Sequence, residues 1–170
     1  MTKTRFEQTA MSFMDGLTTM TLATCSQGIP WAAAVYYARQ GLDLIFFSSP
    51  ASRHSEILST NPRAAATIHG EYDRWQDIKG LQMEGTVEQI RSTWALARAT
   101  AAYLKRYPFV RQFLADPGSV STLAAAKMTK AALYIFRPER IFYLSNEEGF
   151  GNRWKLEIRD GKSVGDPERA

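Results

Sequence analysis

The chain has 170 residues, 45% of them hydrophobic, which suits one globular domain with a core of its own. No apolar run approaches the ~20 residues of a membrane span and the N-terminus does not resemble a signal peptide, so a soluble, cytoplasmic protein is expected. One cysteine, Cys25, excludes an internal disulfide, and with only His54 and His69 beside it no closed zinc site can form; the formal charge of +4 is scattered, so neither a metal nor nucleic acid is expected.

Phe6, Ala10, Phe13 and Met14 recur at helical spacing and stop at Gly16, predicting an amphipathic helix closed by a glycine cap. A meander follows: a Thr-rich strand from Leu17 to Cys25, a turn at Gln27-Gly28-Ile29-Pro30, a strand from Ala32 to Arg39, a turn at Gln40-Gly41, and a strand from Leu42 to Phe47. Short connections imply antiparallel pairing. A short helix spans Ser52 to Thr60, with Ser49 or Ser52 as its cap, and Ala64 to His69 is another strand. Glu71 to Asp77 reads as a surface loop. In the next strand Leu81, Met83 and Val87 share one face, and Gln82, Glu84, Thr86 and Glu88 the other.

Behind a Ser92 cap, Leu96, Thr100, Tyr103, Leu104 and Tyr107 follow helical spacing, and a second helical pattern takes in Phe109, Val110, Phe113 and Leu114. Lys105, Arg106 and Arg111 read as a solvated helix face. Strands return at Ala132 to Phe136, Ile141 to Leu144, and around Trp154, Leu156 and Ile158. These elements predict one domain over 1–160 with a flexible tail at 161–170. Its class is mainly β (α+β): a six- to seven-stranded antiparallel barrel with inserted helices.

Three passages could carry chemistry. Ser48, Ser49, Ser52, Arg53 and His54 lie where an apolar strand runs into the first turn of a helix, a place where free amides and the helix dipole favour a phosphate and Arg53 can grip it bidentately. Plain helix capping explains the same residues. Lys79-Gly80-Leu81-Gln82-Met83-Glu84-Gly85 reads first as a bulged, half-exposed strand with polar residues facing water; the alternative is that the glycines leave the backbone open to a flat ligand, with Gln82 placed to bond a ring edge. Tyr143 and Arg153 flank a Gly-rich turn at Gly149-Phe150-Gly151, where aromatics also serve a core or an interface.

Their order, from Thr19-Met20-Thr21-Leu22-Ala23-Thr24 through Asn61-Pro62-Arg63 to Gly149-Phe150-Gly151, resembles the FMN-binding split-barrel superfamily, the fold of pyridoxamine 5'-phosphate oxidase. It looks closest to a small bacterial subgroup that also carries the helical insert Arg106-Tyr107-Pro108-Phe109-Val110-Arg111. The resemblance implies a homodimeric FMN flavoprotein, an oxidoreductase moving electrons between a reduced nicotinamide or similar donor and a small molecule; the alternative is a non-catalytic flavin- or haem-binding protein. It implies that Ser48, Ser49, Ser52 and Arg53 hold the FMN phosphate and that Val35 and Tyr36 run along the ring. Lys79 and Gln82 approach the ring from the long strand, and Tyr143 and Arg153 come from the other subunit. His54 stands where the family has a Lys, so phosphate affinity should weaken as pH rises through its pKa. Tyr37, Gly149 and Gly151 replace the Lys, Arg and His of the vitamin B6 oxidase, which argues against that activity; no side chain is singled out as a catalytic acid or base.

Overall fold

The computed structural model describes residues 1–110, 130–147 and 149–170. Helix α1 (Lys3–Gly16) is capped by Thr2, which accepts from the Arg5 amide, and buries Phe6, Ala10 and Met14, spaced about one turn apart. Gly16 is its last helical residue rather than a left-handed cap. The terminal carbonyls are met from outside instead. Tyr37 donates its hydroxyl to Met14 O at 2.7 Å, and Arg106 donates to Met14 O and Asp15 O, both at 3.2 Å, and to Leu17 O.

The meander is β1 (Thr19–Ser26), β2 (Ile29–Gln40) and β3 (Asp43–Ser48), its first turn made by Gln27 and Gly28, both at positive φ. Then follow α2 (Arg53–Thr60), β4 (Arg63–His69), a 3-10 turn at Trp75–Asp77, β5 (Lys79–Gln89), α3 (Thr93–Arg106), β6 (Ala132–Ser145), β7 (Arg153–Arg159) and β8 (Lys162–Arg169). Every pairing is antiparallel, in the order β3-β2-β1-β4-β5-β6-β7-β8. β3 also pairs with the first half of β6, which closes six strands into a barrel and leaves β7 and β8 as an extension. The expected split barrel with inserted helices is the observed fold, with eight strands among the described residues.

Phe6, Met14, Leu22, Tyr37, Phe46, Ile68, Leu81 and Phe136 belong to the core inside the barrel. A second cluster, including Ala38, Ile45, Tyr103, Leu133 and Ile135, lies where α3 covers the outside of β2, β3 and β6. β3 is therefore buried on both faces, which is why its sequence is a continuous apolar run.

Three expectations change, and at Gly80 and Gly85 the bulged-strand reading holds over the ligand opening. The two short strands at Ala132 to Phe136 and Ile141 to Leu144 are one strand, β6, running through Pro138 at a shift of register between Glu84 and Gly85. Residues 162–169, expected as a tail, form β8, because Asp160 and Gly161, both at positive φ, turn the chain back onto β7. On α3 the buried positions are Ala99 and Tyr103, whereas Leu96 is exposed and the Ser92 side chain caps no amide. Gly80 and Gly85 receive neighbouring strands, not a ligand: a Cβ on Gly80 would stand 3.1 Å from Ile68 O, and one on Gly85 only 2.0 Å from Arg137 O. The second helical pattern runs past residue 110, and Arg111, Phe113 and Leu114 lie outside the described residues.

Gly85→Ala should lower the stability of the fold by about 3 kcal/mol, since the clash is with backbone that closes the barrel. Urea unfolding checks this, and a loss below about 1 kcal/mol would mean that the bulge can relax.

Candidate functional site

The barrel is split where β2 and β3 part. Their last common pair is Tyr37 with Phe46, after which β3 continues against β6 as far as Ser48 opposite Ala132. Residues 29–36 of β2 pair with β1 alone, so among the described residues the other edge of this stretch has no strand beside it. Alternate backbone N–H and C=O groups thus point into the split. Val35 and Tyr36 lie on this edge. The Val35 side chain is in the core, leaving its backbone for any ligand, while Tyr36 is exposed and meets the Tyr107 ring edge-on at 5.7 Å.

At the fork, Ser48 leads into the turn before α2. Its hydroxyl lies 2.6 Å from His54 Nε2 and 3.0 Å from Ser52 Oγ, and it accepts from Ser55 Oγ at 3.2 Å. Ser52 is the cap of α2, accepting from the Ser55 amide at 3.4 Å, and Ser49 Oγ accepts from the Ala51 amide. Three hydroxyls and an imidazole therefore converge on the first turn of a helix, where in-helix partners for amides are lacking. Burial lowers the His54 pKa below its ordinary value of 6.5. The cluster is consequently uncharged at neutral pH, and any help from His54 in holding an anion is confined to the acid side of that value. Arg53 supplies the cation, stacked 4.3 Å over the ring of Trp31 on β2. Local pattern in the sequence points to neither Trp31 nor Ser55; for Trp31 the signal is a lone Trp in an alanine-rich strand.

Register extends the site across the sheet. Ala34 pairs with Thr21, Thr21 with Thr67, Thr67 with Gln82 and Gln82 with Phe142, so these residues share the outer face. Gln82 is exposed there among small neighbours, which also include Ala23, Ala32 and Ala65. No described element covers this face.

Lys79, Tyr143 and Arg153 form a separate group. Lys79 Nζ is 2.5 Å from Glu147 Oε1, an ion pair that raises the Lys79 pKa, and it borders with Tyr143 a cavity of about 560 Å3 together with Phe13, Tyr72 and Leu17. Tyr143 meets Phe13 edge-on at 6.5 Å. Arg153, opposite Leu144, has a buried Nε with no acceptor among the described residues. Lys79 thus sits with Tyr143 rather than with the serine cluster. Buried Asn146 sets the adjoining Gly149-Phe150-Gly151 turn, donating to Trp75 O at 2.8 Å and accepting from the Gly151 amide at 2.9 Å.

Tyr37 and Arg106 are structural. Tyr37 is fully buried, with burial raising its pKa, and the Arg106 guanidinium is occupied by α1 carbonyls. No group of three or more metal-ligating side chains occurs among the described residues, and no described helix is long and apolar enough to cross a membrane.

The model of a family described as pyridoxamine 5'-phosphate oxidase matches residues 6–144. The chain is 26% identical over 126 residues to a UPF0306 protein of Haemophilus ducreyi, covering 72% of this chain and 75% of the other. In fold it is similar to a heme binding protein from Mycobacterium smegmatis, with a TM-score of 0.66 at 21% identity, covering 87% of this chain and 56% of that one. It is also similar to the heme storage protein HutZ from Vibrio cholerae, with a TM-score of 0.63 at 17% identity, covering 78% and 89%.

The lowered pKa of His54 makes the folded state bind fewer protons than the unfolded chain just below pH 6.5. Its contribution to stability is therefore complete above that pH and declines as pH falls toward the folded-state value. The urea midpoint of the wild type should drop between pH 7.5 and about 5.5 more than that of His54→Gln. Parallel curves would show that the imidazole is not desolvated.

Proposed function

Since the chain belongs to the pyridoxamine 5'-phosphate oxidase family, we propose that it is an FMN-binding flavoprotein, an oxidoreductase passing electrons between a reduced nicotinamide or similar donor and a small molecule. The observation that supports this most is the split itself. It combines an unpaired strand edge, three converging hydroxyls at a helix start and one cation, Arg53. Arg53, Ser48, Ser49 and Ser52 hold the phosphate, with His54 contributing as a neutral hydrogen-bonding group. Val35 offers backbone and Tyr36 its ring along the isoalloxazine, and Gln82 bonds the ring edge from β5. FMN, when bound, supplies the electron chemistry, and the protein supplies orientation and electrostatics.

The active form is a homodimer. The outer face of β1, β2, β4 and β5, which no described element covers, is rich in small residues, so two copies can approach closely there. Tyr143, Arg153 and Lys79 then serve the flavin of the opposite subunit. The buried Arg153 Nε, which lacks an acceptor among the described residues, supports this assignment, because a ligand carbonyl or a neighbouring copy would satisfy it.

A second reading, a haem-binding protein without turnover, is favoured by the fold shared with the heme binding protein from Mycobacterium smegmatis and with HutZ. The visible spectrum separates the two. FMN released on denaturation, or bound on reconstitution, supports the flavoprotein, and a Soret band supports haem. A protein that takes up neither pigment refutes both.

Arg53→Ala should weaken FMN binding by roughly 1.5 kcal/mol or more, the scale of one lost charged hydrogen bond. Fluorescence titration of FMN measures this, and unchanged affinity in a folded variant would place the phosphate elsewhere.

A further inference from the structure

Arg53 is held by a ring rather than by an acid. Its guanidinium carbon lies 4.3 Å from the centroid of the Trp31 ring, and among the described residues it has no ion pair with a carboxylate. Arg39, Arg63, Arg74, Arg137 and Arg140, by contrast, are each paired with an Asp or a Glu. The two ways of holding an arginine leave different things behind. A carboxylate fixes the side chain but cancels its charge and occupies its donors. A ring face fixes it through the π-electrons, so the charge stays and N–H groups remain open to an incoming anion.

Trp31 is a firm support for that contact. It pairs with Thr24 in the ladder between β1 and β2, and the buried Thr24 donates its hydroxyl to the Trp31 carbonyl at 3.4 Å. Its ring belongs to neither buried cluster, and the residue is 37% exposed on the stretch of β2 whose other edge meets no described strand. Core packing therefore gives no reason for a tryptophan there.

The cation it holds is the one at the serine cluster. Arg53 opens α2, and its neighbours in sequence, Ser52 and His54, both contact Ser48. His54 adds no charge at neutral pH, because burial lowers its pKa. An unrestrained arginine would lose rotamer freedom on gripping an anion, and a ring already in contact with it takes much of that loss in advance. The same contact recurs at Arg98 over Trp94 and at Arg169 over Trp154, but those pairs stand on α3 and at the end of β8.

Resting on the flavin reading above, we propose that Trp31 is a positioning residue of the phosphate site: its ring holds the Arg53 guanidinium at the start of α2 with its charge intact, and so sets the preference of the site for FMN over riboflavin, which lacks the phosphate.

Fluorescence titrations of the full chain with FMN and with riboflavin test this. The wild type should bind FMN at least about tenfold more tightly than riboflavin. Trp31→Leu should weaken FMN about fivefold and riboflavin less than about twofold, and Trp31→Phe, which keeps a ring face, should return FMN to within about twofold of wild type. In the Arg53→Ala background Trp31→Leu should cost FMN nothing further, since the ring acts only through that side chain. Trp94→Leu, which removes the equivalent pair on α3, should leave both affinities at their wild-type values. Trp31 lies outside the core, so its variants should keep the wild-type melting temperature. Unchanged FMN affinity in Trp31→Leu, equal weakening of FMN and riboflavin, additive losses in the double variant, or the same FMN loss in Trp94→Leu would each overturn the proposal. A preference for FMN that Arg53→Ala abolishes and Trp31→Leu keeps would sink it alone, whereas a wild type that binds FMN and riboflavin alike, or neither, would remove the phosphate site of the flavin reading as well.

Discussion

The rest of the molecule depends on β6 pairing with three strands. Its first half bonds to β3 on one side and β5 on the other, and its second half exchanges β3 for β7. One strand can do this only if it bends midway, and the bend falls at Pro138, which cannot donate to the ladder and is tolerated at a bulge. The partner residue must then yield space. Gly85 does so, and the carbonyl of Arg137 fills the volume that any side chain would need. Closure of the barrel follows from that exchange, and so does the position of Ser48, which is carried opposite Ala132 and away from β2. The split is therefore a consequence of how the barrel closes rather than a separate feature.

Helix α3 and the residues after it stabilise the far side of the same fork. Tyr103 packs edge-on against Phe47 at 4.9 Å, and Tyr107 donates to Tyr37 O at 2.6 Å. Arg106 reaches the carbonyls that α1 leaves open, and Asp15, held below the usual carboxylate range chiefly by its hydrogen bond from Arg39, lies beside it. A basic stretch that composition alone would leave open to an anionic polymer is thus partly consumed as a helix cap. The cationic end of the side chain meets the negative end of the α1 dipole. Function and architecture compete for the same few charges, and here architecture holds Arg106.

The sequence made the meander, α1, α2 and the alternating face of β5 legible because each rests on local periodicity and turn chemistry. It misled where a non-local partner decides. Pro138 reads locally as a break, yet β5 supplies a glycine opposite it, so β6 continues. At Gly80 and Gly85 the bulged strand, the bland reading of the sequence, is the observed one, and the groups that approach them belong to neighbouring strands. Polar residues after Gly161 suggest a tail, but an edge strand needs few buried side chains once a left-handed turn returns the chain to β7. The serine cluster was foreseen by residue type; its partners Trp31 and Ser55 come from a strand and a helix turn whose approach no spacing encodes. Lys79 shares β5 with Gln82, and its ion pair with Glu147, on the turn that Asn146 holds, is a further contact that no spacing in the sequence encodes.

The chemistry at the fork turns on hydroxyl protons. Ser48, Ser52 and Ser55 each have one proton to donate, and with His54 Nε2 they form a closed set of contacts between 2.6 and 3.2 Å. Such a set satisfies itself, which lets it remain partly buried with no anion bound. When an anionic oxygen enters, hydroxyls can rotate toward it, exchanging neutral hydrogen bonds for charge-assisted ones that are roughly twice as strong. A lysine in place of His54 would bring a fixed charge into the cluster and would hold phosphate by attraction at any pH below its own pKa. With a desolvated, neutral imidazole there, the long-range attraction in the proposed phosphate site would fall to Arg53 among the described residues, and the hydroxyls would select by geometry. Trp31 would then matter as much as the serines, because the ring beneath the guanidinium restrains the cation on which that proposed division of labour rests.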